Sequence, residues 1–152
     1  MARLTRPDGV EIDDDPARVD LDAVHRFLAE ESYWAPGRDR GTVDRLVREA
    51  TRVVGAYDGT RQVGFARCFS DGVTLAWVGD VYVEGPYRGR GIGEALVRHL
   101  IEGSAFAHIR WMLGTADAHT FYAKLGFGRP SERILERPRA GGEPGPPGEP
   151  AR

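Results

Sequence analysis

The sequence predicts an α/β chain with the element order β-α-α-β-β-β-α-β-α-β, and three observations carry that prediction. Apolar residues recur at helical spacing in two stretches of the first fifty residues. Three strand-like runs follow, Arg52–Tyr57, Gln62–Phe69 and Val73–Val83, joined by Asp58-Gly59-Thr60-Arg61 and Ser70-Asp71-Gly72, two turns suited to antiparallel hairpins. The last run then enters a glycine-rich turn, Arg88-Gly-Arg-Gly-Ile-Gly93, and leaves it as a helix-like stretch over Glu94–Leu100.

Taken in order, residues 1–9 are polar and read as a frayed terminus, and Val10–Asp13 reads as a short first strand. Asp15 or Pro16 opens the first helix, in which Leu21, Val24, Phe27 and Leu28 share one face. Glu30–Arg38 breaks that spacing and reads as a loop. Thr42 is the predicted cap of a second helix running to Ala50, with Val43, Leu46 and Val47 inward. Beyond the three strands and the glycine turn, the third helix buries Ile92, Leu96, Val97, Leu100 and Ile101. Ile109–Thr115 is the next strand, Asp117–Leu125 a short helix ended by Gly126, and Arg133–Arg137 a last edge strand. From Arg139 onward Pro and Gly supply eight of fourteen residues and nothing apolar remains to bury, which predicts a disordered tail over 139–152. Residues 10–138 are then the one folded domain.

A chain of 152 residues is long enough to bury a core of its own. Its 41% hydrophobic and 29% charged residues place it among ordinary soluble globular proteins. The net charge of −2 leaves no basic footprint for nucleic acid. The single cysteine, Cys68, excludes an internal disulfide and a cysteine zinc site, and its apolar strand setting points to a buried, inert thiol. No metal is called for. The chain has neither a membrane-span-length apolar stretch nor the apolar core of a signal peptide, so the expectation is a cytoplasmic protein, monomer or homodimer, with no membrane partner.

The glycine turn carries the functional signal. Glycines let the chain reverse with no Cβ in the way, so several backbone N–H groups converge on one point. The first N–H groups of the following helix lack intrahelical partners and lie at the positive end of its dipole, which suits a pyrophosphate. Spacing separates the phosphate loops that compete for this segment. A Walker loop needs Gly-x-x-x-x-Gly-Lys-Ser/Thr, but Gly93 is followed by Glu94 and Ala95. A dinucleotide fingerprint needs Gly-x-Gly-x-x-Gly, and counting from Gly89 or Gly91 the last place holds Glu94 or Leu96. Arg/Gln-x-x-Gly-x-Gly/Ala fits, with Arg88, Gly91 and Gly93 in its fixed places.

That pattern resembles the coenzyme A loop of the GNAT acetyltransferase superfamily. The approach Val81-Tyr-Val-Glu-Gly-Pro-Tyr-Arg88 resembles the family's hydrophobic-x-Val-x-Pro-x-x-Arg lead-in. Ala118-His-Thr-Phe-Tyr-Ala-Lys-Leu-Gly-Phe127 resembles its Ala-x-x-x-Tyr-x-x-x-Gly-Phe segment. The likeness covers residues 10–137 and implies a mixed sheet with helices on both faces and splayed central strands. It also implies an acetyl-CoA-dependent N-acetyltransferase in which a small-molecule primary amine attacks directly, through a tetrahedral intermediate and with no acyl-enzyme. By resemblance, the amides of Gly89, Arg90, Gly91, Ile92 and Gly93 cradle the pyrophosphate, with Arg88 at the loop mouth or simply solvated. The edge Val81, Tyr82 and Val83 pairs with the pantetheine arm, and an N–H near Val81 faces the thioester oxygen as a preset oxyanion donor.

Tyr122 shares one face of the short helix with Ala118, Phe121 and Leu125, so its ring points inward. A phenol of pKa about 10 can protonate a departing thiolate, as in many members of the family, the alternative being a core tyrosine. Asp80 and Glu84 are the candidate bases: residues 80, 82 and 84 alternate to one face, so both acids flank Tyr82 on the substrate side, with His119 a third option. Asp80 interrupts an otherwise apolar strand, and a hydrogen-bonded structural acid is its other reading. Two departures stand out: Pro86 falls one place late, with Gly85 where the proline is expected, and Thr115 stands where an asparagine often helps hold the coenzyme.

In this superfamily the stretch between the first two helices walls the acceptor site, and here it holds Glu30, Glu31, Tyr33 and Trp34. Two acids beside two aromatics suit a small cationic amine, or else form a solvated helix end with two rings packed on the core. Rival readings are a non-catalytic acyl-CoA-binding module of the same fold, an acyltransferase for longer chains or an O-acceptor, and a nucleotide-binding regulatory domain. The missing Walker lysine counts against the last.

Overall fold

The computed structural model describes residues 2–142. Six strands, β1 (Arg3–Thr5), β2 (Glu11–Asp13), β3 (Arg52–Asp58), β4 (Arg61–Ser70), β5 (Leu75–Val83) and β6 (Arg110–Met112), form one sheet in sequence order. Neighbours from β1 to β5 run antiparallel and β6 joins β5 in parallel, so the sheet is mixed. Helices α1 (Leu21–Glu30), α2 (Arg40–Glu49), α3 (Ile92–Glu102) and α4 (His119–Ala123) complete the fold.

The sheet separates two cores. On one side α3 lays Ile92, Leu96 and Leu100 onto Val54, Ala66 and Val78 of the central strands. On the other, α1 and α2 bring Val24, Phe27, Leu28, Val43 and Val47 against Phe65 and Tyr82. Phe27 stacks on the Tyr82 ring with centroids 4.0 Å apart. Leu28, Phe65 and Leu96 are all fully buried, and each such side chain contributes roughly 1.5–3 kcal/mol by leaving water.

Several sequence expectations change. The stretch expected to fray over 1–9 is ordered in its described part, residues 2–9: Arg3–Thr5 pairs with β2, which makes Glu11–Asp13 the second strand. Asp15 caps only a short 3-10 turn, Pro16–Arg18, which ends as Val19 turns extended. Asp20 is the cap of α1, accepting from the Ala23 N–H at 3.0 Å. Asp39, not Thr42, caps α2, with the Thr42 N–H as its donor at 3.0 Å. Arg133–Arg137 forms no strand; the described chain beyond Phe127 has turns only. The predicted tail falls largely on residues 143–152, outside the described residues. Among the described residues, no helix is long and apolar enough to cross a membrane.

Two features of β5 shape the site. First, it pairs with β6 only over Leu75, Ala76 and Trp77, so its remaining length has an open edge on that side. Second, Phe65 lies opposite Tyr82 and Arg67 opposite Gly79, so Asp80 and Val81 together face the one residue Ala66. Asp80 takes the left-handed conformation of this bulge, with φ 53°. The extra residue reverses the alternation, leaving Val78 in the α3 core and Tyr82 in the α1–α2 core.

Candidate active site

Beyond β5 the chain makes a 3-10 turn, Gly85–Tyr87, and enters the glycine loop. Gly89 (φ 77°) and Gly91 (φ 79°) are both left-handed, the conformation that side chains resist, and Gly91 is the N-cap of α3 with no side-chain cap of its own. Among the described residues, no backbone N–H from Gly89 to Glu94 donates to another group of the protein. The loop is braced from outside. Tyr87 donates its hydroxyl to Asp58 at 2.7 Å, and Arg88 Nε donates to the Val83 carbonyl at 3.0 Å. Arg6 donates to the carbonyls of Arg90 and Gly91. Sequence reasoning missed Arg6, because nothing local marks a residue whose partners lie far along the chain. The Arg90 side chain takes no part in the cleft; its guanidinium lies over the Tyr87 ring at 5.1 Å.

A cleft of about 730 Å³ joins this loop to the open edge of β5. Its wall includes Val81, Tyr82 and Val83, the loop residues Arg88, Gly89, Gly91, Ile92 and Gly93, and Tyr122. Free amides at one end and an unpaired strand edge in the middle fit a long ligand with a diphosphate and an extended amide-bearing arm, the make-up of coenzyme A.

Tyr122 is fixed by the way α4 ends. Gly126 (φ 88°) follows the helix in the left-handed conformation. The Phe127 N–H reaches back to the Tyr122 carbonyl at 3.1 Å, and the Gly126 N–H to that of Ala123 at 3.1 Å. This paired closure brings the residue after the glycine against the first residue of the last turn. Accordingly the Phe127 ring meets Tyr122 edge-on at 5.7 Å, and Phe121 meets it from the other side at 4.9 Å. Burial pushes the Tyr122 phenol up to about 12, helped by the nearby Tyr33 and Asp117. The ring therefore keeps its proton throughout the neutral range.

The two candidate bases, Asp80 on β5 and Glu84 just past its end, are placed otherwise than expected. Asp80, Tyr82 and Glu84 do share the α1 side, but neither carboxylate lines the cleft. Asp80 accepts from Trp34 Nε1 at 2.9 Å, Arg67 Nε at 2.7 Å and Arg38 Nη1 at 3.0 Å. Burial raises its pKa, but Arg67, Trp34 and Arg38 more than offset that, and the net direction is down. A carboxylate so held is a poor proton acceptor, and its structural reading prevails. Glu84 pairs with Arg61 at 2.7 Å and Arg26 at 3.9 Å. His119 opens α4, exposed and off the cleft wall.

Of the predicted acceptor residues, Glu31, Tyr33 and Trp34 line the cleft, while Glu30 is exposed elsewhere. Their loop spans the gap between the strands. Trp34 holds the β5 side through Asp80, and the Tyr33 hydroxyl accepts from the Ala116 N–H, just beyond β6, at 2.9 Å. Thr115 is not on the cleft wall; its hydroxyl accepts from the Ala118 N–H at 3.1 Å and shapes the entry to α4. Asp117 and Glu94 also line the cleft, carboxylates that the sequence reading did not single out as site residues. Cys68 is fully buried, and burial raises its thiol to about 11, so it offers no nucleophile.

Comparison with known proteins bears on this site directly. Residues 49–129 match the family described as Acetyltransferase (GNAT) domain. The chain is similar to a protein of Xanthomonas campestris pv. campestris assigned to the GNAT acetyltransferase family, with 33% identity, a TM-score of 0.79, and coverage of 87% of this chain and 94% of that one. A Deinococcus radiodurans structure assigned as an acetyltransferase shares the fold at 22% identity and TM-score 0.68, over 84% of this chain and 88% of its own. An uncharacterized N-acetyltransferase of Porphyra purpurea is 37% identical over 70 residues, 45% of this chain. The match spans 40% of that curated relative's length.

Proposed function

The chain belongs to the GNAT acetyltransferase family, and on that premise we propose that it transfers the acetyl group of acetyl-CoA to the primary amine of a small cationic acceptor. One observation carries the reading: a single cleft joins the unpaired amides of the glycine loop, the open edge of β5 and the Tyr122 ring.

The assignments follow from what each group presents. The amides of Gly89 to Gly93 hold the pyrophosphate, where the α3 dipole adds to their attraction. The β5 edge at Val81–Val83 pairs with the pantetheine arm as an added strand would. A backbone N–H near Val81 is held in place by the sheet and faces the thioester oxygen, so stabilising the oxyanion requires little reorganisation. Tyr122 donates its proton to the departing thiolate, and the amine attacks directly because no nucleophilic thiol lines the cleft. Asp117, which lies near Tyr122, and Glu31, both on the cleft wall, attract the acceptor's ammonium and receive its proton, the role expected of Asp80 and Glu84. The Tyr33 and Trp34 rings add cation–π attraction.

Isothermal titration with acetyl-CoA, with desulfo-CoA and ATP as controls, tests the cofactor. Saturable micromolar binding of acetyl-CoA without comparable ATP binding is expected, and a screen of amines by free-thiol release then follows. No acetyl-CoA binding overturns the loop reading and the activity with it.

A further inference from the structure

The N-terminal hairpin lies along α3 and meets it at both ends. The Ala2 carbonyl lies 3.2 Å from His99 Nε2 near the helix's C-terminal end, and Arg6 reaches the carbonyls of Gly91 and Arg90 at its start. Eight residues of helix span about 12 Å and four of strand about 13 Å, so the two run in step. Arg6 is itself fixed. Its backbone closes the hairpin turn through Arg6 N–H to the Val10 carbonyl (2.9 Å) and Gly9 N–H to its own carbonyl (3.0 Å). Its guanidinium also pairs with Asp8 at 3.2 Å, and its side chain is only 17% exposed.

The direction of these bonds matters. In a trans peptide the C=O and the N–H of the next residue point opposite ways. A guanidinium that draws the carbonyls of Arg90 and Gly91 outward therefore aims the N–H groups of Gly91 and Ile92 the other way, into the cleft that both residues line. The Gly91 carbonyl also accepts from the Ala95 N–H at 3.1 Å, whereas among the described residues the Arg90 carbonyl has Arg6 as its one donor, and no side chain caps the helix start. For the Arg90–Gly91 peptide the restraint comes from outside the motif, and for the Gly91–Ile92 peptide Arg6 adds to the helix's own bond.

We infer that Arg6 is a positioning residue of the coenzyme site, fixing the orientation of the two peptide planes whose amides receive the pyrophosphate. This rests on the reading of the loop as a pyrophosphate cradle. The guanidinium's planar fork spans two carbonyls at once, which a lysine ammonium does not do in the same geometry.

The test is titration of acetyl-CoA into wild-type protein and into Arg6→Ala, Arg6→Lys and Arg3→Ala, with the ligand-free melting temperature of each. Arg3 belongs to the same hairpin but bonds Asp13, away from the loop. Arg6→Ala is expected to raise the Kd about tenfold, Arg6→Lys by about threefold, and Arg3→Ala by less than about twofold at a similar melting temperature. Should Arg6→Ala not fold, the Arg6→Lys to Arg3→Ala comparison decides. Wild-type affinity in both Arg6 variants, or equal weakening in Arg3→Ala, overturns the inference while leaving the loop reading intact. A wild-type protein that does not bind acetyl-CoA removes both.

Discussion

The two halves of the cleft are built from different material. The half we assign to the coenzyme is backbone: free amides from Gly89 to Glu94 and the unpaired edge of β5. The half we assign to the acceptor is side chain: Glu31, Tyr33, Trp34 and Asp117, carried on loops and held by the buried Asp80 cluster and the Tyr33–Ala116 bond. Backbone sites depend on glycines at fixed spacing, so they leave a short pattern in the sequence. Side-chain sites depend on residues that meet only in the fold. The first half is suited to a ligand common to a whole family, the second to one that differs from member to member.

Substitutions that act on one half alone sharpen this contrast. The largest effect is expected where the halves meet: Tyr122→Phe should lower turnover by about 10²–10⁴-fold and leave acetyl-CoA binding unchanged, as free-thiol release and titration would report. Next comes the frame under the acceptor loop. Asp80→Ala strands two guanidinium groups around a carboxyl site only 4% exposed, and a loss of about 3–5 kcal/mol in denaturant unfolding is expected. On the coenzyme side, Gly91→Val forces a β-branched residue to φ 79° and should weaken acetyl-CoA binding about tenfold with the acceptor loop untouched. The smallest change is Trp34→Phe, which removes one hydrogen bond to Asp80; a loss of about 1 kcal/mol or somewhat more is expected in the same unfolding assay.

The pH dependences also divide. Asp80 is depressed in the folded protein, so its stabilisation is present above the ordinary carboxylate value of about 3.9 and is lost as pH falls through the lower folded value. Acid unfolding of Asp80→Asn should accordingly show a shallower slope below about pH 4 than wild type. Tyr122 shifts the other way: its contribution is present below about pH 10 and fades as pH rises toward about 12. A turnover profile with an alkaline limb near pH 8 would have to come from another group.

What was legible in the sequence follows the same division. The three central strands, the glycine loop and α3 could be read because their periodicity and turns are local. The role of Gly126 and Phe127 was readable as a pattern, and the helix closure that seats the Tyr122 ring gives its physical cause. The polar first residues gave no strand signal, because β1 depends on partners in β2 and on α3. The role of Asp80 was hidden for a similar reason: Trp34, Arg38 and Arg67 lie far away in sequence, and a lone acid in an apolar strand looks the same whether it is free or bound. The first helix was placed too early because both Asp15 and Asp20 have the chemistry of a cap, and only packing distinguishes them.

The bulge at Asp80 has one more consequence. It acts as a phase shift in the residue count of the strand, with Val78 before it keyed to one layer and Tyr82 after it to the other. A deletion of that single residue would leave Val78 and Tyr82 three positions apart, on opposite faces as they are now, with Tyr82 still beside Phe65. The layers on either side therefore do not depend on the extra residue; what it adds is a bend in the strand and a place for the buried Asp80 carboxylate.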